Sequence, residues 1–213
     1  MDEMIERTKE FVKKILENDA SGHDWWHIVR VHNLARMLAE QEEANLFVVE
    51  MSALLHDVAD EKLNVSEEAG LKKVAEWLEV CKLEESVKQH ILTIIQNMSF
   101  KGGNHTLLST IEGKVVQDAD RLDAIGAIGI ARTFAYAGSI GDIMHDPNLP
   151  ARDTMTKDEY RNGKSTSINH FYEKLLKLKS LMNTDSAKRI AEQRHEYMEN
   201  FINQFMKEWY GQA

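Results

Sequence analysis

"SALLHDVADE", residues 52–61, sets a histidine and an aspartate directly behind an apolar run. Ala53, Leu54 and Leu55 precede His56 and Asp57, and Val58 and Ala59 follow them. The spacing predicts one helix from about Asn45 to Asp60, with Leu46, Val49, Ala53 and Asp57 on one face. A carboxylate buried there without a partner is costly, so another part of the chain must compensate Asp57.

The helical period continues on both sides of this stretch. Met4, Ile5, Thr8, Phe11, Val12, Ile15 and Leu16 form one stripe. After the cap-type residues of "NDASGHD", a second helix should start near Asp24 and bury His27, Val31, Leu34 and Leu38. "SEEAGLKKVAEWLEVC" opens as a capped helix, with Ser66 three residues ahead of Ala69 and acids in its first turn. A further helix should run from Glu84 to about Asn97. Residues Leu107 to Ala137 are long and mostly apolar, and the glycines of "AIGAIGIA" call for close helix packing or a local break. From Gly138 to Ser167 the pattern gives way to a polar loop of a length typical of lids and binding segments. Two last helices are expected over Ile168–Met182 and Asp185–Trp209. The fold class is all-α.

Composition sets outer limits. The 213 residues are 43% hydrophobic and 29% charged, ordinary for a globular chain, and suit a single domain. Both prolines, Pro147 and Pro150, fall inside the polar loop. No apolar run approaches the roughly 20 residues of a membrane span, so no membrane partner is expected. The charged, amphipathic N-terminus lacks the apolar segment of a secretory leader. The single Cys81 excludes an internal disulfide and fits a reducing, cytoplasmic setting. A net charge of −9 argues against duplex nucleic acid as a partner, yet leaves room for a small anion held by a metal or a local cationic pocket. A homodimer is compatible with these features.

Adjacent helical residues point about 100° apart, so His56 and Asp57 reach one ion only at their shared shoulder. A facing helix must complete the grip, and His27 is the candidate. "VVQDADRLDAIGAIG" supplies a second set of acids, Asp118, Asp120 and Asp123, in an apolar helix. Ion pairing with Arg121, Arg132 or Lys114 is the alternative employment for them. Spacing puts Asp120 and Asp123 on one face and does not separate them. Two imidazoles and two carboxylates suit a divalent ion, Mn²⁺ first, with Fe²⁺, Co²⁺, Ni²⁺ or Zn²⁺ also matching and Mg²⁺ less so.

His27 within "HDWWHIVRVHNLA", "LLHDVADE" at 54–61 and "QDADRLDAIGAIGIAR" at 117–132 occur in the order H…HD…D. In this the chain resembles the HD superfamily of metal-dependent phosphohydrolases, over about residues 22–133. The likeness is greatest to small stand-alone bacterial members, whose "STSINHFYEKLLKL"-type tail it shares. The resemblance implies an HD-type helical bundle with additional C-terminal helices at 168–210. It implies one divalent ion held by His27, His56, Asp57 and Asp120, the last chosen over Asp123 as the acid of "ADRL". It also implies hydrolysis of a nucleotide by a metal-activated water, with nucleoside triphosphate giving monophosphate and pyrophosphate. A nucleoside monophosphate phosphatase of this fold and a non-catalytic metal or nucleotide sensor are the rivals.

Asp60, three residues past Asp57 and four past His56, falls on the ligand side of a continuous helix and could orient or deprotonate the water. Glu61 is the second catalytic candidate, with a solvated helix end as its alternative. Arg30 and Lys101 are candidates for phosphate contacts, as is Arg121. His90 is a candidate partner or general acid in the substrate pocket. Asp123 sits where the resemblance places a polar residue near the substrate. The 138–167 loop, with Arg152, Arg161 and Lys164, is a candidate lid over a polyphosphate tail.

Overall fold

The computed structural model describes residues 1–16, 24–60, 63–98, 108–153 and 163–212. Among them no strand occurs. Backbone contacts divide the chain into two compact units, Met1–Asp120 and Arg121–Ala213.

The first unit holds α1 (Asp2–Leu16), α2 (Trp25–Gln41), α3 (Leu46–Leu55), α4 (Glu67–Val80), α5 (Glu85–Met98) and most of α6 (Ile111–Asp123). Helix α3 is its centre and packs against α1, α2 and α5. Seven of its ten residues, Val48, Val49 and Met51 to Leu55, are buried. A helix apolar on every side belongs inside a core, and "SALL" is the last turn of this one. Side-chain oxygens cap three helices against the unpaired amides of their first turns: Asp24 for α2, Asn45 for α3 and Ser66 for α4. On α2 the buried side runs through His27, Val31, Ala35 and Leu38, while Leu34 is only half-buried.

The sequence predicts α3 continuing to Asp60, and the chain does otherwise. The α-helix ends at Leu55, and His56–Ala59 forms a 3-10 turn. At Asp60 the backbone is extended, with φ −62° and ψ 135°. Helix α4 packs directly on this turn.

The second unit holds α7 (Gly126–Ile140), α8 (Ser167–Glu173), a 3-10 turn at Leu175–Leu181 and α9 (Asp185–Trp209). The helix expected over Ile168–Met182 is therefore two pieces, α and then 3-10. The long apolar stretch also divides, because the chain breaks after Asp123 and restarts at Gly126 with φ +77°, a conformation that disfavours any side chain. A core of rings joins three helices. Phe171 of α8 is fully buried, 6.3 Å from Phe134 of α7 and 5.9 Å from Phe201 of α9.

A buried carboxylate pins the polar loop to α8. Glu173 accepts hydrogen bonds from the Arg152 backbone N–H at 3.0 Å, from Arg152 Nε and Nη2 at 2.8 Å each, and from Ser165 Oγ at 3.0 Å. Arg152 is thus engaged with Glu173, whereas Arg161 lies outside the described residues.

Burial is the largest influence on Glu173 and raises its pKa, but Arg152 and Ser165 together outweigh it and hold the group below its ordinary range. Burial, reinforced by Lys174, pushes His170 down from 6.5 to about 4. Both groups act in one direction. The unfolded chain binds more protons than the native one below about 6.5, so stability is fully present above that pH and is lost as pH falls toward 4. His170→Gln should remove about 1–2 kcal/mol of this loss, after allowance for the partial exposure of the ring. Urea midpoints of wild type and variant at several pH values would show it, and parallel curves would refute it.

Candidate metal centre

Four side chains named from the sequence converge within the first unit. His27 occupies the first turn of α2, where its backbone N–H donates to the capping Asp24 Oδ1 at 2.7 Å. Its ring is 1% exposed, and Nε2 lies 3.3 Å from Asp57 Oδ2 and 3.5 Å from Asp120 Oδ1. His56 Nε2 lies 3.2 Å from Asp57 Oδ1 and 3.9 Å from Asp120 Oδ1. Donor atoms of His27, His56 and Asp57 all fall within 4.8 Å of one another. Asp57 is nearly buried at the start of the 3-10 turn, while the Asp120 side chain on α6 is 39% exposed.

The tautomer of His56 decides what this arrangement can hold. His56 Nδ1 lies 2.8 Å from the Ala53 carbonyl oxygen, which can only accept, so Nδ1 donates. In the neutral ring Nε2 then carries a lone pair and no proton. That nitrogen is buried and makes no hydrogen bond. A lone pair facing a carboxylate oxygen at 3.2 Å calls for a positive charge between them. Ligands placed at right angles about 2.1 Å from one ion are about 3 Å apart, close to the nitrogen–oxygen separations seen here. The donor set therefore fits a divalent cation.

The other candidates are placed differently. Asp60 is half-buried and its N–H donates to the Asp57 carbonyl at 3.0 Å. Its relation to the ligands follows from the turn and not from a helical face, because the helix stops before His56. Arg30 is half-buried one turn after His27 on α2. His90 Nε2 meets Thr110 Oγ1 at 3.0 Å and Glu112 Oε2 at 3.8 Å. Asp123 is buried and accepts from Arg132 Nη1 at 2.7 Å, the ion pairing weighed for this acid from sequence. Asp118 is fully buried on the same helix. Glu61 and Lys101 lie outside the described residues. Sequence reading passed over the Ala53 carbonyl, whose only signal is its position three residues before His56.

The HD domain family model matches residues 25–125. An HD-superfamily hydrolase of known structure from Bacillus thuringiensis is 60% identical, with 98% of each chain covered and a TM-score of 0.79. The chain belongs to the HD superfamily. The His56–Asp57 pair lies inside the matched residues, and divalent-metal hydrolysis is the general chemistry of the family. Another relative is the uncharacterized protein YpgQ of Bacillus subtilis, 40% identical over 205 residues that cover 95% of this chain and 92% of YpgQ. The crystal structure of YpgQ in complex with ADP matches with a TM-score of 0.77 at 39% identity, covering 98% of this HD protein and all of that chain. Among the described residues no helix is long and apolar enough to cross a membrane.

Proposed function

We propose that the protein hydrolyses a (deoxy)nucleoside triphosphate to the monophosphate and pyrophosphate. The observation that carries the metal dependence is the buried His56 Nε2, which makes no hydrogen bond and faces Asp57 beside His27. The ADP held by YpgQ supports a nucleotide as the ligand class.

His27, His56, Asp57 and Asp120 would hold the ion, and their mixed nitrogen and oxygen donors favour Mn²⁺. When bound, such an ion supplies Lewis acidity and a lowered pKa for water. The chain's own residues do the rest. The two aspartates supply negative charge to the cation, and the bond from Nδ1 to Ala53 fixes the His56 ring. Asp60 orients the attacking water and takes its proton as the water oxygen joins the α-phosphorus. The bond from that phosphorus to its bridging oxygen breaks, and pyrophosphate leaves. Arg30 contacts the phosphate oxygens, and His90 borders the substrate.

A panel of nucleoside mono-, di- and triphosphates with Mn²⁺ tests this reading. Monophosphate and pyrophosphate in equal amounts from a triphosphate are expected. Orthophosphate from a monophosphate would replace the proposal with a phosphatase, and tight binding without turnover would replace it with a sensor.

A further inference from the structure

The turn that carries His56 and Asp57 does not hold itself. A four-residue 3-10 turn has poor hydrogen-bond geometry and gains little from its own backbone. Its upstream end is fixed by α3 and by the His56–Ala53 bond. Its downstream end is held by two residues that belong to no ligand set.

The first is Asn64. Its Nδ2 donates to the Val58 carbonyl at 2.9 Å and to the Asp60 carbonyl at 2.8 Å. One amide thus ties the last part of the turn to the residue proposed to handle the water. The second is Gly70, in the first turns of α4. A Cβ at this position would stand 2.5 Å from the Ala59 oxygen and 2.8 Å from both its carbonyl carbon and its Cα. All three are backbone atoms, so no side chain could swing aside. Only a residue without a Cβ lets α4 lie this close to the turn.

We infer that Asn64 and Gly70 are positioning residues for the metal centre, one pulling and one pressing the His56–Ala59 turn into place. This rests on the proposed role of His56 and Asp57 as ligands. Residues supporting a metal ligand typically change affinity by about 10- to 100-fold when removed. Gly70→Ala must move the turn or α4, and Asn64→Ala takes a donor from the Val58 and Asp60 carbonyls, leaving Asp60 with the Leu63 N–H at 3.0 Å.

The experiment measures Mn²⁺ affinity by calorimetry and the His56 ring resonances by NMR in the metal-free protein. The variants are Gly70→Ala, Asn64→Ala and Gly129→Ala. Gly129 on α7 is an equally crowded control, since a Cβ there would meet the Ala124 oxygen at 2.3 Å. Gly70→Ala and Asn64→Ala should weaken Mn²⁺ binding about tenfold or more and shift the His56 signals. Gly129→Ala should lower thermal stability while keeping wild-type affinity and His56 signals. Wild-type affinity and signals in folded Gly70→Ala would overturn the inference, and so would equal losses in Gly129→Ala. Should Gly70→Ala fail to fold, Asn64→Ala decides in the same way. Failure of the wild type to bind Mn²⁺ would remove the functional proposal, and the His56 signals alone would then decide whether the two residues set the turn.

Discussion

Asp57→Ala is expected to weaken Mn²⁺ binding at least about 100-fold and to lower turnover of the preferred nucleotide by about 10³-fold or more. A bound ion contributes several kcal/mol to transition-state stabilisation, and each 1.4 kcal/mol is a factor of ten in rate. Asp57 contributes an oxygen toward each imidazole, Oδ2 at 3.3 Å from His27 and Oδ1 at 3.2 Å from His56. Asp120 reaches both rings through one oxygen, at 3.5 and 3.9 Å, and is more open to solvent. Its removal should therefore cost less than that of Asp57. Asp57→Asn keeps the shape and loses the charge, so it should resemble alanine far more than wild type. Undiminished Mn²⁺ affinity in Asp57→Ala would show that the cation is held elsewhere.

The largest expected effect on stability lies in the second unit. Phe171→Ala should destabilise the protein by about 3–5 kcal/mol, the usual range for emptying a buried phenylalanine site. Phe171 has no solvent exposure, and loss of its contacts with Phe134 and Phe201 adds to the lost burial. Against a typical total of about 5–15 kcal/mol, that is about a fifth of the stability or more. Urea unfolding should show a lower midpoint at an unchanged slope. A cost under about 1 kcal/mol would mean that the neighbouring rings collapse into the space.

Helix positions were readable where caps and periodicity agreed. Ser66 caps through the Ala69 N–H as its spacing predicts, and the last helix spans Asp185–Trp209 as read. Pitch was not readable. Four residues are too few for periodicity to distinguish 3.0 from 3.6 residues per turn, so the 3-10 turn at His56 was hidden inside a continuous apolar run. The 3-10 segment after Glu173, Leu175–Leu181, is likewise too short, at about two turns, for apolar spacing to separate the two pitches. Of the site, three ordered motifs named the histidines and aspartates that the fold draws together. What supports them was invisible, because it is made of backbone carbonyls, one asparagine amide and a missing Cβ. None of these has a pattern of its own. Arg152 illustrates the converse, since a cation in a polar loop reads as a phosphate contact until the distant Glu173 is seen beside it.

The junction of α3 with the His56–Ala59 turn also constrains how this gene can vary. Deleting or inserting one residue anywhere in Leu46–Leu55 would rotate the doublet by about 100° and move it 1.5 Å along the axis, away from His27. The rods leading to the site should thus accept new side chains but no change of length, leaving indels to accumulate in the connecting segments.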